Sequence, residues 1–408
     1  MFHLSGGYMN RSRVLLLFAL LQSVLAFTLS RPPTPEAGIV HIPDFIIQVT
    51  AGRVADSAGY GELYSVQAQI EAQSDILGRQ LSRSDLLPFN HPPYLVPVLK
   101  PVSRLSFDAA FTLWIMASLL IFLVGSLALS HGYSRLGVEQ SELFSVRLSL
   151  LTFAPVIFSV LHGQDTFLLF LGVAGWLVLF SSDRFVLSGL ALSLATIRPH
   201  LALTLVIPFL FARRGTAAGF VLGTAVLSLL SYLALGSEGI EDYARIVQLT
   251  GADAVVSGRL GMPNLLGFLS RAVGKELPAG LFWYALLAWV VLIGGSSAWW
   301  AKLGNRLTPI HLSLLVFGTV FLVPHIHLHD FAILAVPQAM VAKSMLTRKT
   351  FDWNRPLLTL CVSSFAFALI SIRRVPIDLC IIPAALLLAA PIISELRHTG
   401  STTVRSAP

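Results

Sequence analysis

Apolar runs recur along most of this chain, most of them near the roughly 20 residues that a helix needs to cross the hydrocarbon of a bilayer, the shorter ones needing polar flanks or local thinning to do so. They are read at about residues 13–30, 107–130, 146–161, 165–181, 216–236, 281–301, 308–324, 331–346, 357–372 and 376–394. Of the 408 residues, 55% are hydrophobic and 12% charged. A soluble domain carries about a quarter charged residues, so the solvent for this surface is lipid. The fold class is therefore all-α: a polytopic membrane bundle of about ten spanning helices, forming one integral membrane domain over 1–408.

Residues 185–212 depart from the pattern. They are apolar but broken at Arg198-Pro199-His200. Each half holds about 13 residues, or about 20 Å of helix against about 30 Å of hydrocarbon. A short helical hairpin accounts for this better than one kinked span carrying a snorkelling Arg198. A break inside a membrane is tolerated only against protein or a water-filled cavity.

The net charge of +7 is spread over loops. Its Lys and Arg sit between apolar runs and form no cluster of the kind that binds nucleic acid, so no nucleic-acid partner is expected. Arg11 and Arg13 precede the first run. Arg135 and Arg147 follow the second, Arg184 opens the hairpin, and Arg213 and Arg214 close it. Lys302 with Arg306, Lys343 with Arg348, Lys349 and Arg355, and then Arg397 and Arg405 in the tail 395–408 complete the set. Alternate loops are basic, which places both termini of this inner-membrane-type protein in the cytoplasm. Arg373 and Arg374 are the exception, in a tiny turn assigned to the outer side. Ser23-Val24-Leu25-Ala26 resembles a weak signal-cleavage site, but the long first run reads as an uncleaved anchor. Cys361 and Cys380 lie in apolar segments without disulfide or metal-thiolate spacing, and read as packing residues.

This topology collects the unusual polar residues on the outer side. The loop 31–106 is too long for a connector. Its mixture of apolar and charged residues suits interfacial helices. It opens with His41-Ile42-Pro43-Asp44-Phe45 and ends in Pro88-Phe89-Asn90-His91-Pro92-Pro93-Tyr94. The turn His162-Gly163-Gln164-Asp165, the loop 237–280 with Gly261-Met262-Pro263-Asn264, and Pro324-His325-Ile326-His327-Leu328-His329-Asp330 follow.

Ionisable groups at a membrane boundary are costly and are functional candidates by default. Asp44 is either a partly desolvated general base for a hydroxyl or the N-cap of a helix starting at Phe45. His325, His327 and His329 would share one side of an extended strand and fan apart on a helix. Phosphate or sugar hydrogen bonding, interfacial placement and a divalent metal site are all open to them. Arg198 suits a phosphate oxygen pair, or else satisfies loose carbonyls at the break.

Taken in order, these motifs resemble glycosyltransferase family 87, the polyprenyl-phosphate-mannose-dependent transferases of the GT-C fold. The resemblance runs from about 43 to 340. It is carried by Asp44-Phe45, Gly61-Glu62-Leu63-Tyr64, the Pro88–Tyr94 stretch leading to Pro97 and Pro101, and Phe111 to Trp114. It continues through the Gly163-Gln164 turn, Gly189-Leu190-Ala191 running to Arg198-Pro199-His200, Met262-Pro263-Asn264 and the histidines before Asp330.

The resemblance implies an inverting hexosyltransferase with its active site on the periplasmic face and Asp44 as base. Its donor would be a polyprenyl-phosphate sugar, contacted by Arg198, His200, Gln164, His325, His327 and His329. Its acceptor would be a glycolipid or glycan hydroxyl, and His91, Tyr94 and Asn264 are acceptor or loop candidates. No cofactor and no metal is implied, and membrane lipid is the other partner. His91 stands where family members often have Tyr, and Arg198 where they often have Lys. A transporter or flippase of lipid-linked sugars is the alternative, since broken helices and intramembrane Arg occur there too. No internal repeat supports it.

Overall fold

The computed structural model describes residues 44–252, 261–273, 279–349, 354–370 and 376–404, with Leu17, Leu21 and Val24. The first apolar run with its cleavage question, His41 to Pro43, and Arg373-Arg374 lie outside the described residues. All regular structure among the described residues is helical.

The expected outer loop is mostly helix. It holds α1 (Phe45–Ser57), α2 (Val66–Leu77) and α3 (Val96–Ser103). Ser65 caps α2 by accepting from Ala68 N–H, and Gly78 ends it in the left-handed region. Interfacial helices were expected here, but α1 buries most of its residues, Phe45, Ile46, Val49 and Ala51 among them, and packs along α3. Extended chain before α3 is pinned to α2 by two buried glutamines. Gln69 accepts from Phe89 N–H and donates to Leu63 O, while Gln73 exchanges the same pair of bonds with Leu87.

The membrane-type bundle begins with α4 (Phe107–Ser130), followed by α5 (Gln140–Leu151) and α6 (Ala154–Leu161). A single span was expected at 146–161. Instead, α5 and α6 bend by 58° at a short break. Pro155 cannot continue the ladder from α5. The freed Ala154 N–H donates to Ser364 Oγ at 2.6 Å, so no backbone donor is stranded there.

Next come α7 (Thr166–Phe180), α8 (Phe185–Leu192), a 3-10 stretch at Ser193–Ile197 and α9 (Pro199–Val206). The chain doubles back at Arg198. Phe180 packs against both Phe185 and Phe209, at ring distances of 5.2 and 5.7 Å, and the Arg213 guanidinium lies 4.6 Å from the Phe185 ring. The start and end of this apolar segment therefore meet at one level, with Arg198 at the far tip. Small residues allow the close packing this needs. A Cβ on Gly189 would come within 2.0 Å of Thr216 O, and one on Gly219 within 2.0 Å of Val186 O.

The remaining helices are α10 (Arg214–Ala252), α11 (Leu265–Val273), α12 (Ala279–Leu303), α13 (Pro309–Leu322), α14 (Ala335–Thr347), α15 (Arg355–Ile370) and α16 (Ile377–Val404). A loop was expected from 237. The chain does turn at Gly236, with φ +69° and ψ −174°, but then resumes as helix. That second arm carries Tyr243 and Ile246 back onto the core.

Among the described residues, four helical stretches are long and apolar enough to cross a membrane: Phe107–Leu136, Arg214–Gln248, Trp283–Arg306 and Ile377–His398. The bent α5–α6 pair makes a fifth if counted as one span. Shorter apolar helices fill the interior. α7 is about 22 Å long and is enclosed through Phe170, Trp176 and Leu177. α14 carries Gln338, Lys343 and Ser344 and is wrapped by protein instead of lipid. Apolar side chains on α4, α10 and α12, including Met116, Leu233 and Val291, face outward. This is a multi-pass membrane protein.

Candidate active site

The site forms where the hairpin tip meets the turn between α6 and α7. Gly163 adopts φ +67°, and a Cβ there would come within 2.5 Å of Phe45 Cβ. Its carbonyl accepts from Trp114 Nε1 at 2.9 Å, and the His162 carbonyl accepts from Phe45 N–H at 3.0 Å. The turn is thereby locked to the first residue of α1 and to α4.

Asp44 stands just before α1. Its side chain does not cap the helix. Gln164 Nε2 donates to Asp44 Oδ2 at 2.5 Å, with His162 Nδ1 3.9 Å from the same oxygen. The Asp44 side chain is 36% exposed. Of the two roles the sequence left open, helix capping is not the one its side chain adopts.

Beneath Asp44 lies a buried ion network. Arg198 Nη2 is 3.0 Å from Asp165 Oδ1, and Arg198 Nε is 3.2 Å from Asp330 Oδ1. The two carboxylates are 0% and 2% exposed. His91 Nδ1 approaches Asp165 Oδ2 to 2.6 Å. That contact requires Nδ1 to carry the proton, so the 3.2 Å approach of Arg198 to the same nitrogen is not a hydrogen bond. Thr166 Oγ1 donates to Asp330 Oδ1, and His327 N–H to Asp330 Oδ2. One guanidinium against two carboxylates leaves the network at a net negative charge when its histidines are neutral.

Burial alone would raise the Asp165 carboxyl. The Arg198 charge, with the hydrogen bond from His91, outweighs it and holds Asp165 well below the usual carboxylate range.

The histidines form one row. His200 meets His325 with ring centroids 6.0 Å apart, His325 meets His327 at 4.8 Å, and His327 meets His329 at 5.7 Å. The chain is non-helical up to His327 and 3-10 helical from Leu328, which keeps the rings together. His329 Nε2 reaches 3.6 Å from Asp330 Oδ2. Burial, with His327 and His200 beside it, pushes His325 down to about 3.

These shifts carry a stability prediction. Unfolded histidine takes up a proton near pH 6.5, whereas folded His325 does so only near 3. Between those values the unfolded chain binds more protons, so stability falls as pH falls. The depressed Asp165 adds its loss only below the ordinary carboxylate range. Thermal unfolding in detergent is expected to move steadily to lower temperature between pH 7 and pH 4. A flat profile would remove this account of the histidine row.

Three further sequence candidates make contacts within the protein. Asn264 is buried, donates to Val323 O at 2.6 Å and accepts from Gly267 N–H, so it caps α11 and anchors the histidine loop. His91 is engaged with Asp165 and does not face an acceptor freely. Tyr94 shares a hydrogen bond with Thr196 at 3.1 Å, beside the hairpin tip. Asp165 and Asp330 were seen in their motifs but not assigned to the site. A carboxylate next to an apolar run was the available signal for both.

Residues 89–324, more than half of the chain, match the family model for glycosyltransferase family 87. The chain belongs to glycosyltransferase family 87. No curated protein and no solved structure matches it. The matched stretch of this family 87 glycosyltransferase includes His91, the 162–165 turn, Arg198 and Asn264. Asp44 lies before it, and the histidine loop begins one residue after it.

The ends of the helices give the site a side. α7 runs from Asp165 to the loop holding Arg184, and α13 runs back from Arg306 to the histidine loop. Arg213 donates to Asn305 O, and Lys343 to His131 O, so the basic loops pair with one another at the end away from Asp44.

Proposed function

We propose that this glycosyltransferase moves a hexose, mannose being the expectation, from a polyprenyl-phosphate donor to a hydroxyl of an envelope glycolipid or glycan. The transfer takes place on the outer face of the inner membrane, with inversion. In this reading the short apolar helices also cross the bilayer, giving about ten crossings with the hairpin tip at the outer surface. The basic loops at the opposite end support that orientation.

The observation that carries the reading is the contrast among three carboxylates. Asp165 and Asp330 are sealed and ion-paired to Arg198, whereas Asp44 is open on one side and held by a neutral amide. Only Asp44 is therefore placed to take a proton from an incoming hydroxyl. The deprotonated oxygen attacks the anomeric carbon as the bond to phosphate breaks, and the phosphate leaves on the opposite face.

In this reading Arg198 does not hold the donor phosphate. Its charge is committed to two carboxylates, so the reading gives the leaving phosphate to N–H groups of His325 and His327. Phosphate needs such donors, and they need not come from arginine.

The test is purified protein with a polyprenyl-phosphate-linked hexose and extracted envelope glycolipids, with the product anomer read by NMR. The expected product has the anomeric configuration opposite to that of the donor, with no transfer from a nucleotide sugar. Retention, or use of the nucleotide sugar alone, would sink the proposal.

A further inference from the structure

We propose that Gln164 is a positioning residue for Asp44 and not a donor contact; this rests on the reading of Asp44 as the base. Gln164 is buried to 7% exposure, and its amide nitrogen donates to Asp44 Oδ2. The backbone on both sides of that contact is fixed. Phe45 N–H is tied to His162 O, Gly163 O is tied to Trp114, and Gly163 takes a conformation that a side chain would block against Phe45. Asp165, the next residue, is held by Arg198 and His91. The turn therefore has little freedom to carry Gln164 elsewhere.

The chemistry of the amide suits the task. A neutral N–H donor fixes the carboxylate without competing for its proton, and it occupies Oδ2. Oδ1 has no protein partner among the described residues and is the oxygen left to meet a hydroxyl. The other titratable groups facing Asp44 are His162 from the same turn and His327 and His329 from the histidine row. The Phe45 ring next to Asp44 in the chain packs on Phe111, with centroids 5.3 Å apart.

A glutamate at 164 would set two carboxyl groups within hydrogen-bond reach, and such a pair shares one proton. The experiment measures kcat and donor KM against pH for the wild type, Gln164→Glu and Gln164→Met, with Asp44→Asn alongside. The probe is radiolabelled polyprenyl-phosphate-linked mannose. Gln164→Met keeps the volume and removes the donor; about a 10-fold to 100-fold fall in kcat is expected, with donor KM within about twofold. For Gln164→Glu the rising limb of kcat should move up by at least about one pH unit, with activity returning at alkaline pH.

A donor KM raised about tenfold with the limb unmoved would make Gln164 a donor contact and overturn the proposal. Failure of both variants to fold would also overturn it, because a positioning role leaves the bundle intact. Full activity of Asp44→Asn would instead strike the base assignment itself, whatever Gln164 does.

Discussion

Replacing Asp44 with asparagine is expected to lower sugar transfer by about 10²- to 10⁴-fold, the range that a positioned general base contributes. The amide has nearly the same shape, and its carbonyl oxygen can still accept from Gln164 Nε2. It has no basic lone pair to take the acceptor's proton. The fold should survive, because Asp44 is one-third exposed, caps nothing and holds no buried cation. Protein yield and thermal midpoint in detergent should therefore match the wild type while the initial rate collapses. Asp44→Glu tests the geometry separately. It restores a carboxylate but pushes it toward Gln164, so activity should be intermediate. Wild-type transfer by Asp44→Asn would dismiss Asp44 as the base.

How much of this was legible in the sequence varies from residue to residue. Helices of a membrane protein are written in local composition, so α4, α7 and α12 fall within a few residues of their apolar runs. The break at Arg198-Pro199-His200 was equally plain, because proline and charge interrupt an apolar run visibly. Gly236 marked a true turn, yet helix resumes beyond it, because burying Tyr243 and Ile246 against the core outweighs the interruption. The bend between α5 and α6 needed Ser364, far along the chain, to satisfy the freed N–H.

The site divides in the same way. Asp44, Gln164 and the histidines stood out as polar residues in apolar surroundings. Their partners did not, since pairing of Arg198 with Asp165 and Asp330 is fixed by three-dimensional packing and leaves no local pattern. The same holds for Asn264, whose part depends on Val323. A charge read alone in a sequence looks available; in the structure it is already spent.

That difference makes Arg198 the second decisive position. As a free phosphate contact, Arg198→Ala would weaken donor binding and leave the fold alone. As the centre of a buried network, its removal leaves Asp165 and Asp330 without their cation at almost zero exposure. Breaking a buried pair by deleting one partner costs about 3–5 kcal/mol, a large part of the roughly 5–15 kcal/mol that holds a typical protein together. Arg198→Ala is therefore expected to lose most of its folded, monodisperse protein in detergent.

The pH dependence separates the two cases further. Unpaired and buried, the carboxylates of the variant would favour their protonated form and offset part of the histidine loss, so its stability should fall less steeply with pH than that of the wild type. The wild type, with Asp165 held low and His325 kept neutral, should lose stability over the same range. Adding Asp165→Asn and Asp330→Asn to Arg198→Met removes every charge of the network and should recover folded protein. Transfer by that neutral variant then reads Arg198's chemical part apart from its structural one. Should Arg198→Ala instead melt like the wild type with only its donor KM raised, the guanidinium is a phosphate ligand after all, and the ion network contributes little to the fold.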